Sequence, residues 1–484
     1  MANPLSGLNP VQQHAARHTS GPLLVLAGAG SGKTRVITRK IAYLILQEAL
    51  APSQITAVTF TNKAAREMQE RAGELLGPKV ASAVRISTFH KLGLNILRSE
   101  CEQLGFRRGF SIFDAEDAAT LVRELVRRAG GDAKKNAPPM QWRISAWKND
   151  LISPEQALAS AEEPLDRAAA KLYGDYERSL KAYNAFDFDD LIALPVRLFS
   201  EHAGTLAAWR ERIRYLLVDE YQDTNLAQYR LMQLLVGEAG RFTVVGDDDQ
   251  SIYAWRGARP ENLQQLAEDF PSLEVVKLEQ NYRSSRRILG AANQLIANNP
   301  HLFEKRLWSD HGLGERIRIL STNDGDDEAL RVVAELVTHH VKMRSRHADY
   351  AILYRSNHQA RAFEKALRHH QVPYKVSGGT SFFDRSEVRD VVAYLKLLVN
   401  PDDDAAFLRV VNVPRREIGA SSIEQLTQLA TQEQLSLFNA VEQTAIDEAL
   451  RPRQASALKS FVALLREKAE VAERDDPVRG AREL

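Results

Sequence analysis

The chain has few of the features that mark secreted, membrane or zinc-binding proteins. It has one cysteine, Cys101, which excludes an internal disulfide and favours a reducing compartment. No apolar run approaches the ~18 residues that a membrane helix needs, and the first residues lack the basic and apolar regions of a signal peptide. The 12 histidines show no grouping with cysteine at metal-ligand spacing. We therefore expect a cytoplasmic protein with no membrane contact and no structural zinc.

The charge balance also lacks a dominant sign. Lysine and arginine total 64 against 63 acidic residues, so the net charge is only +1. Because a strongly basic domain is the usual mark of nucleic-acid binding, any such prediction must depend on individual residues. A content of 44% hydrophobic and 26% charged residues is typical of a globular protein, and 484 residues predict roughly three or four domains.

A glycine-rich segment near the N-terminus is the strongest single pattern. It follows the apolar run 22–26 and precedes a helix-like stretch at 35–46. Such a turn lets backbone N–H groups surround a phosphate, with a lysine on the β/γ-phosphates and a threonine hydroxyl on Mg²⁺. The first position is alanine where the strict pattern has glycine, and a chance surface turn is the alternative; the flanking strand and helix favour nucleotide binding. The predicted phosphate-loop residues are Ala27, Gly28, Ala29, Gly30, Ser31, Gly32, Lys33 and Thr34.

Short β-rich runs alternate with helical stretches, which predicts a parallel sheet covered on both faces. Between residues 92 and 203 the strand-like runs disappear, so we predict an all-helical insertion. Beyond residue 281 a second α/β unit begins, and after residue 378 the pattern is mostly helical. The strands predicted for the first sheet are 23–26, 55–60, 84–88, 215–219, 242–246 and 273–278, and those for the second unit are 317–320, 350–354 and 374–376.

Two acidic residues stand at the carboxyl end of the predicted strand 215–218. Ligands of open α/β sheets bind at this edge. Asp219 and Glu220 are predicted to hold Mg²⁺ together with Thr34. Glu220 is also the candidate general base for the water that attacks the γ-phosphate. A solvated acidic strand end is the alternative, and the neighbouring glycine-rich turn disfavours it.

A further strand is followed by the mixed segment 246–257. An amide both donates and accepts hydrogen bonds, so Gln250 is a candidate sensor of the γ-phosphate. Tyr253 and Trp255 are candidates for stacking on unpaired bases. Core packing is an equally good account of Tyr253, whereas the position of Trp255 beside Arg256 favours function.

Two other predicted strands also end in an aromatic residue and polar residues. In both places hydroxyl and backbone donors suit phosphates, while the ring suits a base. Each signal alone is weak, but three such strand ends on one sheet edge favour a nucleic-acid site. The candidate residues are Phe60, Thr61, Asn62, Thr88 and His90.

Six segments, at 27–34, 60–65, 88–90, 218–225, 246–257 and 278–284, occur in the order found in the superfamily 1 helicases. The chain resembles the bacterial Rep/UvrD/PcrA group over nearly its whole length, with the greatest likeness to the Rep branch. The resemblance implies ATP-driven 3′→5′ translocases on single-stranded DNA that unwind duplexes in replication and repair. It also implies a P-loop, RecA-like α/β motor domain at 1–91 and 204–280, a helical accessory insertion at 92–203, a partial second RecA-like domain at 281–377 and a partial helical accessory domain at 378–484.

The resemblance assigns further roles by position. Gln12 matches the residue that recognises adenine, and Arg35 and Tyr282 match the pair that sandwiches the base. Arg283 matches an arginine that reaches the γ-phosphate, as an arginine finger does. The residues Phe60, Tyr253 and Trp255 match the group's base-stacking aromatics. The implied ligands are ATP, Mg²⁺, single-stranded DNA and duplex/single-strand junctions. Replisome or repair proteins are possible partners, and the implied state is a monomer or a DNA-induced dimer.

The chain departs from the group in its last part. No segment resembles the fifth motif, of the type His-x-x-Lys-Gly-Leu-Glu, or the sixth, with its Thr-Arg pair. We therefore expect a C-terminally truncated form that binds ATP and DNA but unwinds poorly. The alternatives are a DNA-stimulated ATPase without unwinding and a single-strand-binding module in which ATP is only a ligand. An unrelated P-loop kinase or transporter ATPase has no acceptor site or signature sequence to support it.

Overall fold

The computed structural model describes residues 3–238, 240–377, 385–433 and 435–474. The chain forms two compact units, one of residues 1–314 and 394–484 and the other of residues 315–393. The predicted domain boundary at 377/378 adjoins residues 378–384, which lie outside the described residues.

A six-stranded parallel sheet is the base of the larger unit. Its strands are buried in the centre because they are covered on both faces, as the apolar runs predict. The order along the sheet is β3-β2-β6-β7-β1-β8, so all six strands predicted for this unit are confirmed, with ends shifted by at most one residue. The strands are β1 (Leu23–Ala27), β2 (Ile55–Thr59), β3 (Arg85–Thr88), β6 (Tyr215–Val218), β7 (Phe242–Gly246) and β8 (Glu274–Leu278); β4 (Ser111–Ile112) and β5 (Ala185–Phe186) form a separate pair.

A helix follows each of the first three strands, and the helices after β2 and β3 begin at threonines whose side chains accept from free N–H groups. Thr61 Oγ1 accepts from the Ala64 N–H at 3.1 Å, and Thr88 Oγ1 accepts from the Lys91 N–H at 3.2 Å. These caps fix the points at which the chain leaves the sheet edge. The helices are α1 (Pro10–Arg17), α2 (Lys33–Leu46), α3 (Asn62–Leu76), α4 (Pro78–Ala81) and α5 (Phe89–Glu100).

The insertion has a hydrophobic core of its own, which includes Phe113, Tyr173 and Tyr176. The prediction that it is entirely helical is wrong in one detail: β4 pairs with β5 in parallel. Each of these strands has only two residues, too few for an alternating pattern to show in the sequence. The helices of this core are α6 (Ala115–Arg128), α7 (Ala133–Asn149), α8 (Pro154–Ser160) and α9 (Pro164–Ala182).

The chain then returns to the sheet and covers its second face. Residues of the next four helices share one hydrophobic core with α5 and with β6 and β7. These helices are α10 (Asp190–Glu201), α11 (Ala203–Arg212), α12 (Leu226–Val236) and α13 (Asn262–Asp269), and α14 (Arg286–Ile296) follows β8.

The smaller unit is built on α15 (Gly325–Met343) and α16 (Ala360–His369), which pack around Val333 and Phe363. The strands predicted at 317–320, 350–354 and 374–376 are wrong: no described residue of 315–377 takes part in a β-ladder. Their apolar side chains produce the alternating pattern, but a strand needs a paired neighbour. Two of these side chains, Ile319 and Leu353, are 93% exposed.

The last described part is helical, as predicted, and packs around Phe407, Phe438 and Phe461. Its helices are α17 (Ser386–Val399), α18 (Asp404–Val410), α19 (Ala420–Gln432), α20 (Leu437–Ala440), α21 (Ile446–Ala449) and α22 (Pro452–Arg474). In the ranges that the structure describes, none of the helices is both long enough and apolar enough to cross a bilayer.

Asp404 is a buried acid in this helical part and gives a pH-dependent prediction. It is 1% exposed and accepts a 2.7 Å hydrogen bond from the Leu437 N–H, and burial raises its pKa to about 7. The folded chain therefore binds a proton that the unfolded chain releases near pH 4, so stability falls as pH rises from 4 to 7, by about 4 kcal/mol at most. The stability of Asp404→Asn relative to the wild type should increase as pH rises from 4 to 7 and stay constant above pH 7. Urea unfolding at several pH values checks this, with the exposed Glu448→Gln as control; a difference that does not change with pH would contradict it.

Candidate nucleotide and DNA site

The phosphate loop joins β1 to α2 as predicted. Gly30 and Gly32 have φ angles of 70° and 89°, in the left-handed region that glycine adopts at low cost. The Ser31 hydroxyl donates to the Gly28 carbonyl at 2.7 Å and closes the turn. Lys33 and Thr34 are the first residues of α2, so the positive end of this helix faces the loop.

The two predicted acidic residues lie opposite this loop. Lys33 Nζ is 2.7 Å from Glu220 Oε2, and the Glu220 N–H donates to Asp219 Oδ1 at 3.1 Å. Asp219 is 4% exposed; burial, and then the charge of Glu220, raise its pKa to about 7 against the opposing charge of Lys33. Glu220 has a φ of 51°, an uncommon backbone conformation that occurs at functional sites.

Carboxylate and hydroxyl oxygens are ligands that Mg²⁺ takes in nucleotide sites. Burial favours the neutral form of Asp219, and a divalent cation would reverse that preference. The oxygen donors of Asp219, Glu220 and Thr34 therefore fit the predicted metal by their chemistry.

Two glutamines connect Glu220 to the loop after β7. Gln222 Nε2 donates to Glu220 Oε2 at 3.0 Å, and Gln222 Oε1 accepts from the Asp247 N–H at 2.9 Å. Gln250 donates to the Asp247 carboxylate. Gln250 thus lies in the network of Glu220, and its role as a γ-phosphate sensor stays a prediction. Sequence reasoning missed Gln222, although it stands within the segment 218–225.

The predicted base-binding residues belong to the segment 7–12 or lie beside it. Tyr282 Oη accepts from Asn9 Nδ2 at 2.8 Å, and a Cβ placed on Gly7 would lie 2.8 Å from an Arg35 guanidinium nitrogen. Gln12 is 1% exposed, and its Nε2 donates to the Ser31 carbonyl at 2.9 Å. In this structure the Gln12 amide is therefore engaged within the protein, and adenine recognition by it stays a prediction.

Residues 281–283 lie directly on the phosphate loop. Asn281 Nδ2 donates to the Ala29 carbonyl at 2.6 Å, and the Tyr282 N–H donates to the Gly30 carbonyl at 2.9 Å. Arg283 follows with an exposed side chain. Sequence reasoning missed Asn281, whose role depends on a contact with a residue far away in the sequence.

The candidate DNA-binding aromatics differ in exposure. Trp255 is 67% exposed, and the Arg256 guanidinium lies 4.6 Å from its ring centroid and 5.3 Å from that of Tyr253. Phe60 is half-buried, with its ring 6.2 Å from that of Phe89. Trp255 is thus the aromatic face most available to a base.

The polar strand-end residues lie at the carboxyl ends of the paired strands β2 and β3. Thr61 and Thr88 cap helices, and Asn62 is the exposed first residue of α3. His90, whose pKa is lowered by burial, has its ring centroid 5.8 Å from that of Phe188. Phe188 is 50% exposed, so it adds a surface aromatic that sequence reasoning missed. The sequence feature that could have identified Phe188 is its position between Asp187 and Asp189, just before α10.

Comparison with known families agrees with this geometry. Residues 8–271 match the UvrD/REP helicase N-terminal domain, and residues 276–451 match the UvrD-like helicase C-terminal domain.

The chain belongs to the UvrD/REP helicase family.

Similar family members include the proteins named ATP-dependent DNA helicase Rep from Salmonella typhimurium (strain LT2) and Escherichia coli (strain K12). Each is 54% identical over 477 residues, which cover 99% of this chain and 71% of the relative. The protein named ATP-dependent DNA helicase PcrA from Bacillus subtilis (strain 168) is 43% identical over 458 residues, covering 94% of this chain and 62% of the relative. The resemblance predicted from the six ordered segments is confirmed.

Proposed function

We propose that this helicase-family chain hydrolyses ATP to move 3′→5′ along single-stranded DNA and to separate duplexes ahead of it. The proposal is supported by a series of polar contacts that joins the phosphate loop to the loop after β7. Glu220 contacts Lys33 of the phosphate loop and, through Gln222, contacts Asp247. Asp247 begins the loop that presents Trp255 to solvent. The ATP site and the aromatic surface are therefore parts of one network.

On the ATP side, Lys33 and the loop N–H groups neutralise phosphate charge, and Asp219, Glu220 and Thr34 would hold Mg²⁺. The bound metal would offset charge that develops on the phosphate oxygens. Glu220 orients and deprotonates the attacking water. Gln250 senses the γ-phosphate, and Arg283 stabilises the charge of the transferred group.

The base of the nucleotide would lie among Gln12, Arg35 and Tyr282. This grouping is supported by the contacts of Tyr282 with Asn9 and of residues 281–283 with the phosphate loop.

On the DNA side, unpaired bases would stack on aromatic faces while hydroxyl and amide groups contact phosphates. Bound ATP favours one arrangement of the ATP-binding residues relative to the DNA-binding residues. Hydrolysis removes the γ-phosphate contacts that stabilise this arrangement. Alternate release of bases from Phe60 and Trp255 then advances the strand. The proposed contact residues are Phe60, Thr61, Asn62, Thr88, His90, Tyr253, Trp255 and Arg256.

We also propose that the protein is a monomer or a DNA-induced dimer. It would act at duplex/single-strand junctions in replication and repair. The second candidate is a DNA-stimulated ATPase without unwinding, because the polar connection from Lys33 through Glu220 and Gln222 to Asp247 would couple ATP turnover to DNA whether or not duplexes are separated.

The test is ATP hydrolysis with and without single-stranded DNA, followed by unwinding of a duplex with a 3′ single-stranded tail. Lys33→Ala supplies the blank. Stimulation by DNA with 3′-tail-dependent unwinding supports the helicase. Stimulation without unwinding supports the second candidate, and nucleotide binding without turnover contradicts both.

Trp255→Ala should weaken single-strand binding by about 1–3 kcal/mol, the worth of one base–aromatic stack. Folding stability should change little, because the side chain is 67% exposed. Fluorescence anisotropy with a labelled thymidine oligonucleotide measures the affinity. Trp142→Ala is the matched control, since Trp142 is 62% exposed on α7 of the insertion. Equal losses in the two variants would contradict stacking on Trp255.

A further inference from the structure

Lys305 lies among three consecutive aspartates just after β7. Its Nζ is 2.5 Å from Asp247 Oδ1 and 3.1 Å from Asp249 Oδ2, and it also pairs with Asp248. The side chains of Lys305, Asp247 and Asp248 are only 3%, 3% and 4% exposed. Burial lowers the pKa of Lys305, but the carboxylates of Asp247 and Asp248 outweigh it and raise the pKa overall, so the lysine is charged at neutral pH. Solvent ions screen such a buried ion cluster weakly.

On one side, the residues after Lys305 lie against the phosphate loop. A Cβ placed on Gly28 would be 2.2 Å from Leu307 Cδ2, so the leucine side chain lies directly on this glycine. The Trp308 carbonyl accepts from the Asn281 N–H at 2.7 Å. Asn281 in turn donates to Ala29 of the loop. We call residues 305–308 the covering segment.

On the other side, the aspartates connect to the catalytic carboxylate and to the DNA-binding loop. The Asp247 N–H donates to Gln222 Oε1 at 2.9 Å, and Gln222 also donates to Glu220. Gln250 donates to the Asp247 carboxylate and lies in the same loop as Trp255. The ion cluster is therefore the contact through which the covering segment and the aromatic loop meet.

We propose that Lys305 is a positioning residue that couples DNA binding at Trp255 to ATP turnover at the phosphate loop. The inference rests on the proposed function. A strand bound at the aromatic loop displaces Asp247, and the ion cluster transmits this displacement to Leu307 and Asn281 on the loop. Lys305 is not among the residues proposed to bind nucleotide or DNA, so its loss should remove the response to DNA and leave the basal reaction intact.

The experiment compares wild type, Lys305→Met, Lys305→Arg and Lys277→Met. The matched control Lys277 is an exposed lysine of β8 whose Nζ donates to the Glu304 carbonyl at 2.8 Å, next to the covering segment. For each protein, kcat and KM for ATP are measured with and without a thymidine oligonucleotide. Lys305→Met should lose about tenfold in DNA-stimulated kcat, with DNA-free kcat and the KM for ATP within about twofold of wild type. Lys305→Arg should recover most of the stimulation, and Lys277→Met should behave as wild type.

Unchanged stimulation in Lys305→Met, or equal losses with and without DNA, overturns the inference while the proposed function stands. Absence of DNA stimulation in the wild type overturns both. Because Lys305→Met leaves buried aspartates unpaired, it can lose folding stability, so a Lys305→Met/Asp248→Asn double variant and thermal unfolding accompany it. The double variant should fold with a melting temperature near that of wild type and still lack stimulation. Recovered stimulation in the double variant would show that Lys305 only stabilises the fold and would overturn the inference.

Discussion

Glu220→Gln is expected to lower ATP turnover by about 10²–10⁴ while ATP binding is kept, because the amide retains size and polarity but cannot take a proton. The side chain is placed for this role. Its Oε2 lies 2.7 Å from Lys33 Nζ and 3.0 Å from Gln222 Nε2, so a glutamine with its amide oxygen in this place can accept from both donors. Steady-state turnover and equilibrium binding of a fluorescent ATP analogue separate the two effects.

Glu211→Gln, which removes an exposed acid from α11, is the control and should behave as wild type. Turnover of Glu220→Gln within about fivefold of wild type would exclude Glu220 as the general base, since removing such a group costs far more. Parallel loss of ATP binding and turnover would instead indicate that Glu220 supports the phosphate loop through Lys33.

Lys148→Met is expected to destabilise the fold by about 3–5 kcal/mol, the usual result of removing one partner from a buried ion pair. The Lys148 side chain is 2% exposed, and its Nζ lies 2.7 Å from Glu177, 2.9 Å from Asp187 and 2.8 Å from Asp190. These carboxylates, which outweigh the opposing effect of burial, raise the pKa of Lys148 well above its usual range. Without the lysine, Asp187 and Asp190 would lose the cation that pairs with both of them.

Urea unfolding followed by circular dichroism measures the loss in Lys148→Met. The control is Lys171→Met, which removes an exposed lysine from α9. Adding Asp187→Asn and Asp190→Asn to Lys148→Met should restore part of the stability, because neutral amides remove the unpaired charges. No rescue would indicate that the lysine acts through packing against Tyr176, whose ring centroid lies 5.1 Å from its Nζ.

The sequence predicted those parts of the fold and site that depend on local patterns. The strands of the large sheet follow from buried apolar runs, and the phosphate loop follows from glycines at positions with positive φ. Asp219 and Glu220 were found because the carboxyl end of a strand has a fixed place in a parallel sheet.

What could not be predicted depends on contacts between distant segments. Gln222, Asn281 and Lys305 are ordinary polar residues in the sequence, and only the fold brings them to Asp247 or to the phosphate loop. The strands predicted in the smaller unit failed for the related reason that an alternating pattern cannot supply a hydrogen-bonding neighbour. The boundaries of the predicted domains and the roles of the site residues stay predictions.

The position of β1 in the sheet has a consequence for synthesis on the ribosome. This strand is complete at residue 27, but its neighbours are β7 and β8, which begin only at residues 242 and 274. At a typical elongation rate, roughly 10–40 s separate the emergence of the first strand from that of the next strand beside it. The insertion, whose core spans residues 113–185, is complete within that interval. The nascent chain would therefore order the helices of the insertion first, and its phosphate loop would stay unformed until β8, which ends at Leu278, had been made.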